Sequence, residues 1–303
     1  MQWALCNFVS MNLAAIDIGT NAARLLIAKV ATKRGRIQLQ KLAYYRVPLR
    51  LGEDVFDKGK ISAKKALHFK QTIQAFQLLA SAHDVWKLRA VATSAMREAK
   101  NGKKVAKQIL EDTGVSIDII SGDEEAQLIF NSFELLQLHK QQQYVVVDVG
   151  GGSTEISIFE HGQKVAARSF ELGTIRILKE KVDAGIWSEF KGWIQKNVRL
   201  DEAHVIFGTG GNINRALKML DSSQQDTLQL NELKQLLAIL LALTIEQRCD
   251  QFKLKPDRAD VIVPALEIYI TALEALGQDN LVVPKIGLSD GVIYQLFLQN
   301  SNI

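Results

Sequence analysis

The sequence predicts an α/β protein built from two related domains, each a mixed sheet flanked by helices, with a cleft between them. The chain has 303 residues, which exceeds most single hydrophobic cores. Short apolar strands alternate with amphipathic helices along it. A hairpin with a glycine-bearing turn occurs twice, and aligning Asp17 with Asp148 separates the copies by 131 positions. That spacing fits a duplicated domain, and chance similarity of two glycine turns is the alternative.

The individual elements follow from periodicity and turn residues. Leu13 to Ile18 and Tyr144 to Val149 are apolar strands, each interrupted by one aspartate. Ser62 is a candidate N-cap for the helix that follows it. Further strands are predicted at 24–30, 37–47, 88–93, 115–120, 155–159, 205–207 and 282–286. Helices are predicted at 62–80, 94–100, 123–138, from 212, at 230–248 and 260–276, and after 291, with a polar connector at 221–226.

Composition excludes several classes of protein. The net charge of +4 does not by itself indicate nucleic-acid binding. Cys6 and Cys249 form neither a disulfide framework nor a metal-ligand spacing, and the five histidines show no paired motif. Residues 1–10 lack the basic region of a signal peptide, and the apolar run at 236–243 is too short to span a membrane. We therefore expect a cytoplasmic protein with no membrane partner and no specific nucleic-acid partner.

Basic residues concentrate in the first quarter of the chain. Lysines and arginines recur from Lys33 to Arg50, and five lysines follow between Lys58 and Lys70. This run is either a solvated face or a track for a polyanion. The sequence leaves both interpretations open.

The segment from Asp148 to Glu155 has the pattern of a phosphate site. Three consecutive glycines, among them Gly151 and Gly152, lack Cβ atoms, so backbone N–H groups can approach a phosphate closely. Ser153 adds a hydroxyl donor. The two flanking carboxylates offer hard oxygen ligands that suit Mg²⁺. The alternative is a tight glycine hairpin with a capped aspartate.

Two further loops repeat this logic. In the first copy, Asp17 can hold a metal or water, and Thr20, Asn21 and Arg24 can grip phosphate oxygens. Arg24 could instead lie on the outer face of its strand. Between a strand and a helix, residues 208–212 include Gly210 and Gly211, and helix N-termini favour anions. Together the three loops predict a cleft lined by phosphate-binding backbone.

Two charged positions complete the candidate site. Glu124 and Glu125 follow a predicted helix start, where they are either ordinary first-turn acids or a general base for an attacking water. Arg97 is either a phosphate clamp or a surface arginine. The sequence contains no Walker A motif and no dinucleotide fingerprint.

The chain resembles the exopolyphosphatase / guanosine pentaphosphate phosphohydrolase (Ppx/GppA) family of the actin-like ATPase superfamily. The resemblance runs nearly end to end and follows nine segments in order. These are AAIDIGTNAARLLIA (14–28), LRLGEDVF (49–56), VATSAMREAKNG (91–102), IISGDEEAQLIF (119–130), VVVDVGGGSTEISI (145–158), ELGTIRI (171–177), FGTGGNINRA (207–216), DRADVIVPALEIY (257–269) and IGLSDGVI (286–293). We expect the short form of the family, without the helical C-terminal domain of longer members.

The resemblance implies two ribonuclease-H-like domains around a cleft. We assign residues 1–125, with a terminal helix at about 293–303, to the first domain and 126–292 to the second. It also implies that Glu125 is the catalytic base and that Mg²⁺ binds near Asp148 and Glu155. Asn21, Arg97, Gly151, Gly152, Ser153 and Gly210 would hold phosphates. Thr20 and Ala22 depart from the family pattern, which has serines there.

The resulting hypothesis is Mg²⁺-dependent hydrolysis of terminal phosphoanhydride bonds. The substrate would be inorganic polyphosphate, guanosine penta- or tetraphosphate, or both, and a homodimer is plausible. An actin-like ATPase or sugar kinase is a second hypothesis, although the candidate base is a glutamate at a helix start rather than the aspartate of such kinases. A non-catalytic alarmone or polyphosphate sensor is a third, and the intact acids at 125, 148 and 155 argue against it.

Overall fold

The fold is taken from a computed structural model that describes residues 10–33, 35–136, 142–199, 204–220 and 226–301. Some sequence-based expectations fall outside these ranges. They concern Cys6 and residues 1–9, Arg34, the end of the helix expected to reach 138, and most of the connector at 221–226.

The first part of the chain forms a five-stranded sheet with helices packed on it. Strand order is β3-β2-β1-β4-β5, with β1 antiparallel to β2 and parallel to β4. We call this part the first repeat. Its elements are β1 (Ser10–Ile18), β2 (Ala23–Lys33), β3 (Arg36–Val47), α1 (Leu51–Lys58), α2 (Ala63–Ala82), β4 (Lys87–Ala92), α3 (Ser94–Glu98), α4 (Gly102–Thr113) and β5 (Ile117–Ile119).

A helix and a short 3-10 turn lead into a six-stranded sheet, which we call the second repeat. Its strand order is β10-β11-β9-β6-β7-β8. The connecting elements are α5 (Gly122–Phe133) and the 3-10 turn Glu134–Leu136. The second repeat contains β6 (Gln143–Val149), β7 (Thr154–Glu160), β8 (Gln163–Phe170), α6 (Thr174–Leu178), α7 (Ile186–Asn197), β9 (His204–Thr209), α8 (Ile213–Met219), β10 (Thr227–Gln229), α9 (Leu230–Leu241), α10 (Ile245–Phe252), α11 (Pro256–Ala259), α12 (Ile262–Leu276) and β11 (Asn280–Val282), and α13 (Leu288–Asn300) follows it.

The two sheets share a topology, which confirms the predicted fold class of mixed sheets flanked by helices. In the second repeat β6 is antiparallel to β7 and parallel to β9, as β1 is to β2 and β4. Asp17 lies opposite Arg24 across the β1–β2 pair, and Asp148 lies opposite Glu155 across the β6–β7 pair. The sequence offset of 131 is therefore also the offset between equivalent positions of the two hairpins.

The central strand β1 is buried on both faces, which explains its continuous apolar sequence. Ala14, Ile16 and Ile18 face a core formed with the helices of the first repeat. Leu13 and Ala15 point the other way, into a core that includes residues of β6 and β9. Because such a strand is packed on both faces, the side chains at its carboxyl end have little freedom to move.

Helices α5 and α13 lie between the two sheets. Leu128, Ile129 and Phe133 of α5 join Ile293 and Phe297 of α13 in the core shared by both sheets. This sandwich fixes the first turn of α5 at the junction of the two repeats. Because both helices serve both sheets, the domain division at residues 125 and 126 stays a prediction.

Two helix starts follow from a serine in the local sequence. Ser62 caps α2 by accepting the Lys65 N–H, as predicted, and Ser121 caps α5 by accepting the Glu124 N–H at 3.1 Å. In the part of the chain that the structure describes, no helix combines the length and the apolar character needed to cross a membrane.

The single helix predicted at 230–248 is wrong. The structure has α9 and α10 there, separated at residues 242–244. Thr244 adopts an extended backbone and its hydroxyl accepts the Gln247 N–H at 3.2 Å. A threonine that satisfies a free N–H in this way begins a new helix, and the apolar periodicity on either side conceals the break.

The strand predicted at 282–286 is also wrong in its bounds. Strand β11 ends at Val282, and residues 283–287 form a connection. Pro284 has no N–H to donate to the sheet, and Lys285 has a φ of 55°, which a strand excludes. Strands β8 and β10 and the helices α1, α4, α6, α7 and α11 were not predicted from the sequence.

We expect Gly291→Ala to destabilise the fold, because α13 crosses α5 closely at this residue. A Cβ atom there would lie 1.7 Å from the carbonyl oxygen of Leu128. Relief of such an overlap costs about 1–3 kcal/mol of unfolding free energy. Urea denaturation of both proteins measures the difference.

Gly192→Ala is the matched control. Gly192 is an exposed glycine within α7, and a Cβ there would meet nothing within 4 Å. Alanine should raise the unfolding free energy by roughly 0.5–1 kcal/mol, because it reduces the entropy of the unfolded chain. Equal effects at both glycines would contradict the close helix crossing.

Candidate active site

All three glycine carbonyl oxygens of the loop at residues 150–153 are held by α6. Those of residues 150 and 151 accept backbone N–H groups from Thr174 at 3.1 Å and Ile175 at 2.8 Å. That of Gly152 accepts Nε of Arg176 at 2.9 Å. The loop is thus fixed from one side by a short helix.

Holding the carbonyls turns the loop's N–H groups the other way. In a planar trans peptide, the C=O of one residue and the N–H of the next point in opposite directions. The N–H groups of Gly151, Gly152 and Ser153 therefore point away from α6, and none of them meets a protein acceptor among the described residues. Successive N–H groups of this kind form an anion-binding concavity.

A cavity lies on that side of the loop, where residues from both repeats meet. It is lined by Gly19, Thr20, Asn21, Arg24, Thr93, Ser94, Val149, Gly150, Gly151, Gly152, Ser153, Thr174, Gly211, Asn212 and Arg258. Most of the predicted phosphate-binding residues are thus brought together.

Two of the glycines are required by contact with the first repeat. A Cβ on Gly152 would lie 2.1 Å from Oγ of Ser94, and one on Gly151 would lie 2.9 Å from Cβ of Thr20. Thr20 and Ser94 share a hydrogen bond of 2.8 Å between their hydroxyls. The glycines therefore let the two walls of the cavity touch.

The first-repeat loop contributes polar side chains to the cavity. Asn21 donates to the carbonyl oxygen of Asp257 at 3.1 Å, while its own Oδ1 is buried and has no partner. Nη1 of Arg24 is 2.6 Å from Oδ2 of Asp17. Burial works against the charge on Arg24, but the attraction of Asp17 prevails and raises the pKa of the guanidinium. Arg24 is therefore not on the outer face of its strand.

The third predicted loop follows β9. Gly210 has a φ of 108°, a conformation that favours glycine. A Cβ there would lie 2.9 Å from the carbonyl oxygen of Val149 and 3.4 Å from Oδ1 of Asp148. Gly211 lines the cavity, whereas Gly210 lies beside the aspartate.

Behind the loops, three carboxylates meet. Glu125, Asp148 and Glu155 can each offer an oxygen so that all three atoms lie within 4.8 Å of one another. Glu125 occupies the first turn of α5, and the other two lie opposite each other across the β6–β7 hairpin. The geometry is that of a group able to hold a metal ion.

The three acids differ in their partners. Glu155 accepts hydroxyl bonds from Ser153 at 2.6 Å and Ser169 at 2.8 Å. Asp148 accepts the Thr209 hydroxyl at 2.5 Å. Oε2 of Glu125 is buried and accepts no hydrogen bond. An unpaired buried carboxylate oxygen is unfavourable in a protein that offers it nothing else.

Burial and mutual repulsion shift all three acids toward the protonated form. Burial, with the charges of Glu155 and Asp148, raises the pKa of Glu125 well above its ordinary value. Burial and the charge of Asp148 raise the pKa of Glu155 to about 7, against the two serine hydroxyls. Burial likewise raises the pKa of Asp148, and the Thr209 hydrogen bond offsets this in part.

This donor set fits a hard divalent cation. Carboxylate oxygens are the ligands that such ions prefer, and a cation held by this group would relieve the repulsion among its members. Asp17, also predicted as a ligand, lies outside the group of three and is paired with Arg24. Its role as a ligand stays a prediction.

Arg97 lies beside the acids. Its Nη1 is 3.9 Å from Oε2 of Glu125 and donates to the carbonyl oxygen of Ile120 at 2.8 Å. Its side chain is 30% exposed, so the rest of the guanidinium remains available to a ligand. That position is compatible with the predicted phosphate clamp.

Sequence reasoning did not single out Arg258 as a site residue. This arginine of α11 lines the cavity and donates to Oδ1 of Asn212 at 3.2 Å. Burial and repulsion from Arg46 and Arg24 lower its pKa to about 9. No carboxylate lies within ion-pair distance of Arg258 among the described residues, so its charge favours an anion. The only available signal was its place in the segment 257–269.

The predicted basic run does not line the cavity in the described part of the chain. Several of its members are tied to acids instead. The pairs are Lys41–Asp290, Arg46–Asp257, Arg50–Asp260, Lys65–Glu53 and Lys70–Asp112. These pairs favour a structural role for that run.

Comparison with known proteins gives a consistent result. Exopolyphosphatase 2 of Mycobacterium tuberculosis is 27% identical over an alignment of 313 positions. The alignment covers 94% of this chain and 98% of that protein. A solved Ppx/GppA family member of Aquifex aeolicus superposes with a TM-score of 0.76 at 24% identity, covering 97% and 100% of the two chains. An exopolyphosphatase of Cytophaga hutchinsonii gives 0.82 at 21% identity, covering 95% and 98%.

The two structural likenesses establish that this chain shares the fold of those two proteins. The match that decides the family is the one along the sequence. Residues 26–300 match the Ppx/GppA phosphatase family. The matched residues make up about nine-tenths of the chain and include Glu125, Asp148 and Glu155. The chain therefore belongs to the Ppx/GppA phosphatase family.

Proposed function

We propose that the protein hydrolyses the terminal phosphoanhydride bond of inorganic polyphosphate, with Glu125 as general base and Mg²⁺ as the metal. One observation carries the proposal. Three backbone N–H groups without protein acceptors face a cavity, and Ser153 of the same loop donates to Glu155, which belongs to the group of acids that includes the buried Glu125 with its free oxygen. The exopolyphosphatases among the relatives support the choice of substrate.

Each part of the cavity has a role toward a phosphate chain. The N–H groups of residues 151–153 would bind oxygens of the terminal phosphate, because they are fixed before the ligand arrives. Arg97 and Arg258 would balance its negative charge from two sides. None of the described residues that line the cavity is aromatic, so no ring is placed there to stack on a base. This favours an inorganic chain over guanosine pentaphosphate.

The acids would bind the metal and activate water. Asp148 and Glu155, with Glu125 close by, would hold a Mg²⁺, which when bound supplies positive charge beside the phosphate oxygens. Glu125 would accept a proton from a water molecule whose oxygen attacks the terminal phosphorus. The new P–O bond replaces the bridging P–O bond, and the shortened chain departs as the leaving group.

Ionisation of Glu125 requires help from its surroundings. A general base acts in its ionised form, whereas burial and neighbouring acids favour the protonated form. The Arg97 guanidinium and the start of α5 oppose that shift. Neutralisation of the other two acids would remove the main repulsion. Ionisation of Glu125 would therefore depend on occupancy of the metal site.

Substitution of Glu125 tests the base. We expect Glu125→Gln to lower kcat about 100- to 10,000-fold, the range typical of a lost general base, because the amide cannot accept the proton. Phosphate release from polyphosphate measures this, with guanosine pentaphosphate and ATP as alternative substrates.

Glu124→Gln is the control for that substitution. Glu124 is the preceding residue, is exposed and pairs with Arg89 at 3.0 Å. Its activity should remain within about 2-fold of wild type, since surface pairs contribute little. Equal losses at both positions would rule out Glu125 as the base, and release from ATP alone would rule out the proposed reaction.

Metal binding is tested without turnover by thermal unfolding. Added Mg²⁺ should raise the Tm of the chelator-treated wild type by several degrees, because saturation at 100 times Kd adds about 2.7 kcal/mol. Asp148→Asn should abolish most of the shift, whereas Glu124→Gln should retain it. An undiminished shift in Asp148→Asn would place the metal elsewhere.

A further inference from the structure

Arg176 is a buried arginine that joins the two walls of the cavity without lining it. Its side chain is 7% exposed, and its Nε donates to the carbonyl oxygen of Gly152 at 2.9 Å. Nη2 donates to both carboxylate oxygens of Glu98, at 2.8 and 2.7 Å. The guanidinium lies 4.3 Å from the ring centre of Phe56. Three groups therefore fix its orientation.

The contact with Gly152 determines the direction of one phosphate-facing group. The carbonyls of residues 150 and 151 are held by backbone N–H groups, which only a substitution by proline would remove. The third carbonyl is held by a side chain. Because C=O and the following N–H are antiparallel in a trans peptide, Arg176 sets the direction of the Ser153 N–H. Without it, the Gly152 carbonyl would have no hydrogen-bond donor among the described residues.

The contact with Glu98 links the loop to Arg97, the other group expected to bind phosphate. Glu98 follows Arg97 on α3, a helix of the first repeat. The same guanidinium thus holds Gly152 of the second repeat and the helix that carries the arginine clamp. A displacement of one wall would therefore shift the other, because the donors of the planar guanidinium have fixed relative positions.

A purely structural role is the competing explanation. A buried ion pair is weak evidence for stability, because the desolvation of both charges offsets their attraction. Arg176 also approaches Glu171, at 3.4 Å, and that acid is largely exposed. Glu171 does not account for the burial of the guanidinium, whereas the loop carbonyl and Glu98 do.

We propose that Arg176 is a positioning residue for phosphate, which aligns the Ser153 N–H and keeps it in register with Arg97 through Glu98. The proposal rests on the function proposed above, since it assumes that phosphate binds at the loop. Arg176 itself touches no reacting atom. Its effect is transmitted through the Gly152 peptide and through α3.

The test compares Arg176→Gln, Arg176→Lys and Glu98→Gln with wild type. Calorimetry with inorganic phosphate measures binding without turnover, and phosphate release from polyphosphate gives kcat and KM across pH. Ile73→Val is the control for stability, because Ile73 is a core residue of α2 away from the cavity. It should lower the Tm and leave kcat and phosphate affinity unchanged.

We expect Arg176→Gln to lower kcat/KM roughly 10- to 100-fold, as misplacement of a binding group does, and to weaken phosphate binding. Arg176→Lys should not restore activity, because one ammonium cannot reach both Gly152 and Glu98 in the same way. Glu98→Gln should have a smaller effect, and the double variant should be no worse than Arg176→Gln alone. The shape of the pH profile should stay the same, since the base is intact.

The proposal is overturned if Arg176→Gln lowers the Tm as Ile73→Val does but retains wild-type kcat and phosphate affinity. It is also overturned if the effects of Arg176→Gln and Glu98→Gln simply multiply. If Arg176→Gln does not fold, Arg176→Lys and Glu98→Gln decide by the same measurements. A wild-type protein that binds phosphate but releases none from polyphosphate would refute the proposed function and leave the binding test of Arg176 intact.

Discussion

Repulsion among three carboxylates, two of them buried and one half-buried, is the constraint on which the rest of the site depends. Glu125, Asp148 and Glu155 come together where two sheets and α5 meet, and burial strengthens their repulsion. The hydroxyls around them supply neutral hydrogen bonds, which satisfy oxygens without removing charge. Only protonation or a cation removes it. A protein that keeps such a group near neutral pH therefore has a built-in preference for a metal ion.

The duplicated hairpin explains why this constraint arises once and not twice. Arg24 of the first repeat occupies the position equivalent to Glu155 of the second, 131 residues later. In the first repeat an arginine faces Asp17 and the pair is neutral. In the second, Glu155 faces Asp148 and the two acids repel each other. One side-chain difference at equivalent positions thus gives one repeat a cation that lines the cavity and the other a group of acids that could hold a metal ion.

The sequence predicted the parts of the site that depend on local pattern. Glycines at 150–152 and acids at 148 and 155 are conspicuous because an apolar strand rarely contains an acid without a partner or a ligand. Glu125 was distinguished from an ordinary first-turn acid only by the family resemblance. Arg258 could not be found in this way, because its role depends on where α11 packs and on which acids it lacks. The break between α9 and α10 was missed because Thr244 and Gln247 act through a hydrogen bond that periodicity does not reveal.

The same limit applies to the loop itself. Its glycines were expected to let backbone approach a phosphate, and the structure adds that they also let the first repeat approach the loop, at Thr20 and Ser94. What the sequence could not indicate is the other side, where α6 binds every glycine carbonyl. Residues 171–177 follow the loop only after an intervening hairpin, so this contact is decided by topology.

Ion pairs between the repeats make the position of Arg258 depend on the first repeat. Arg46 lies 2.6 Å from Asp257 and Arg50 lies 2.6 Å from Asp260, so both acids that flank the centre of α11 are held by the first repeat. Arg258 lies between them in sequence and has no acid of its own within ion-pair distance among the described residues. Its neighbours thus fix the helix while its own charge stays unbalanced. Since a cation held beside other cations attracts anions strongly, contacts that stabilise the fold also keep the cavity positive.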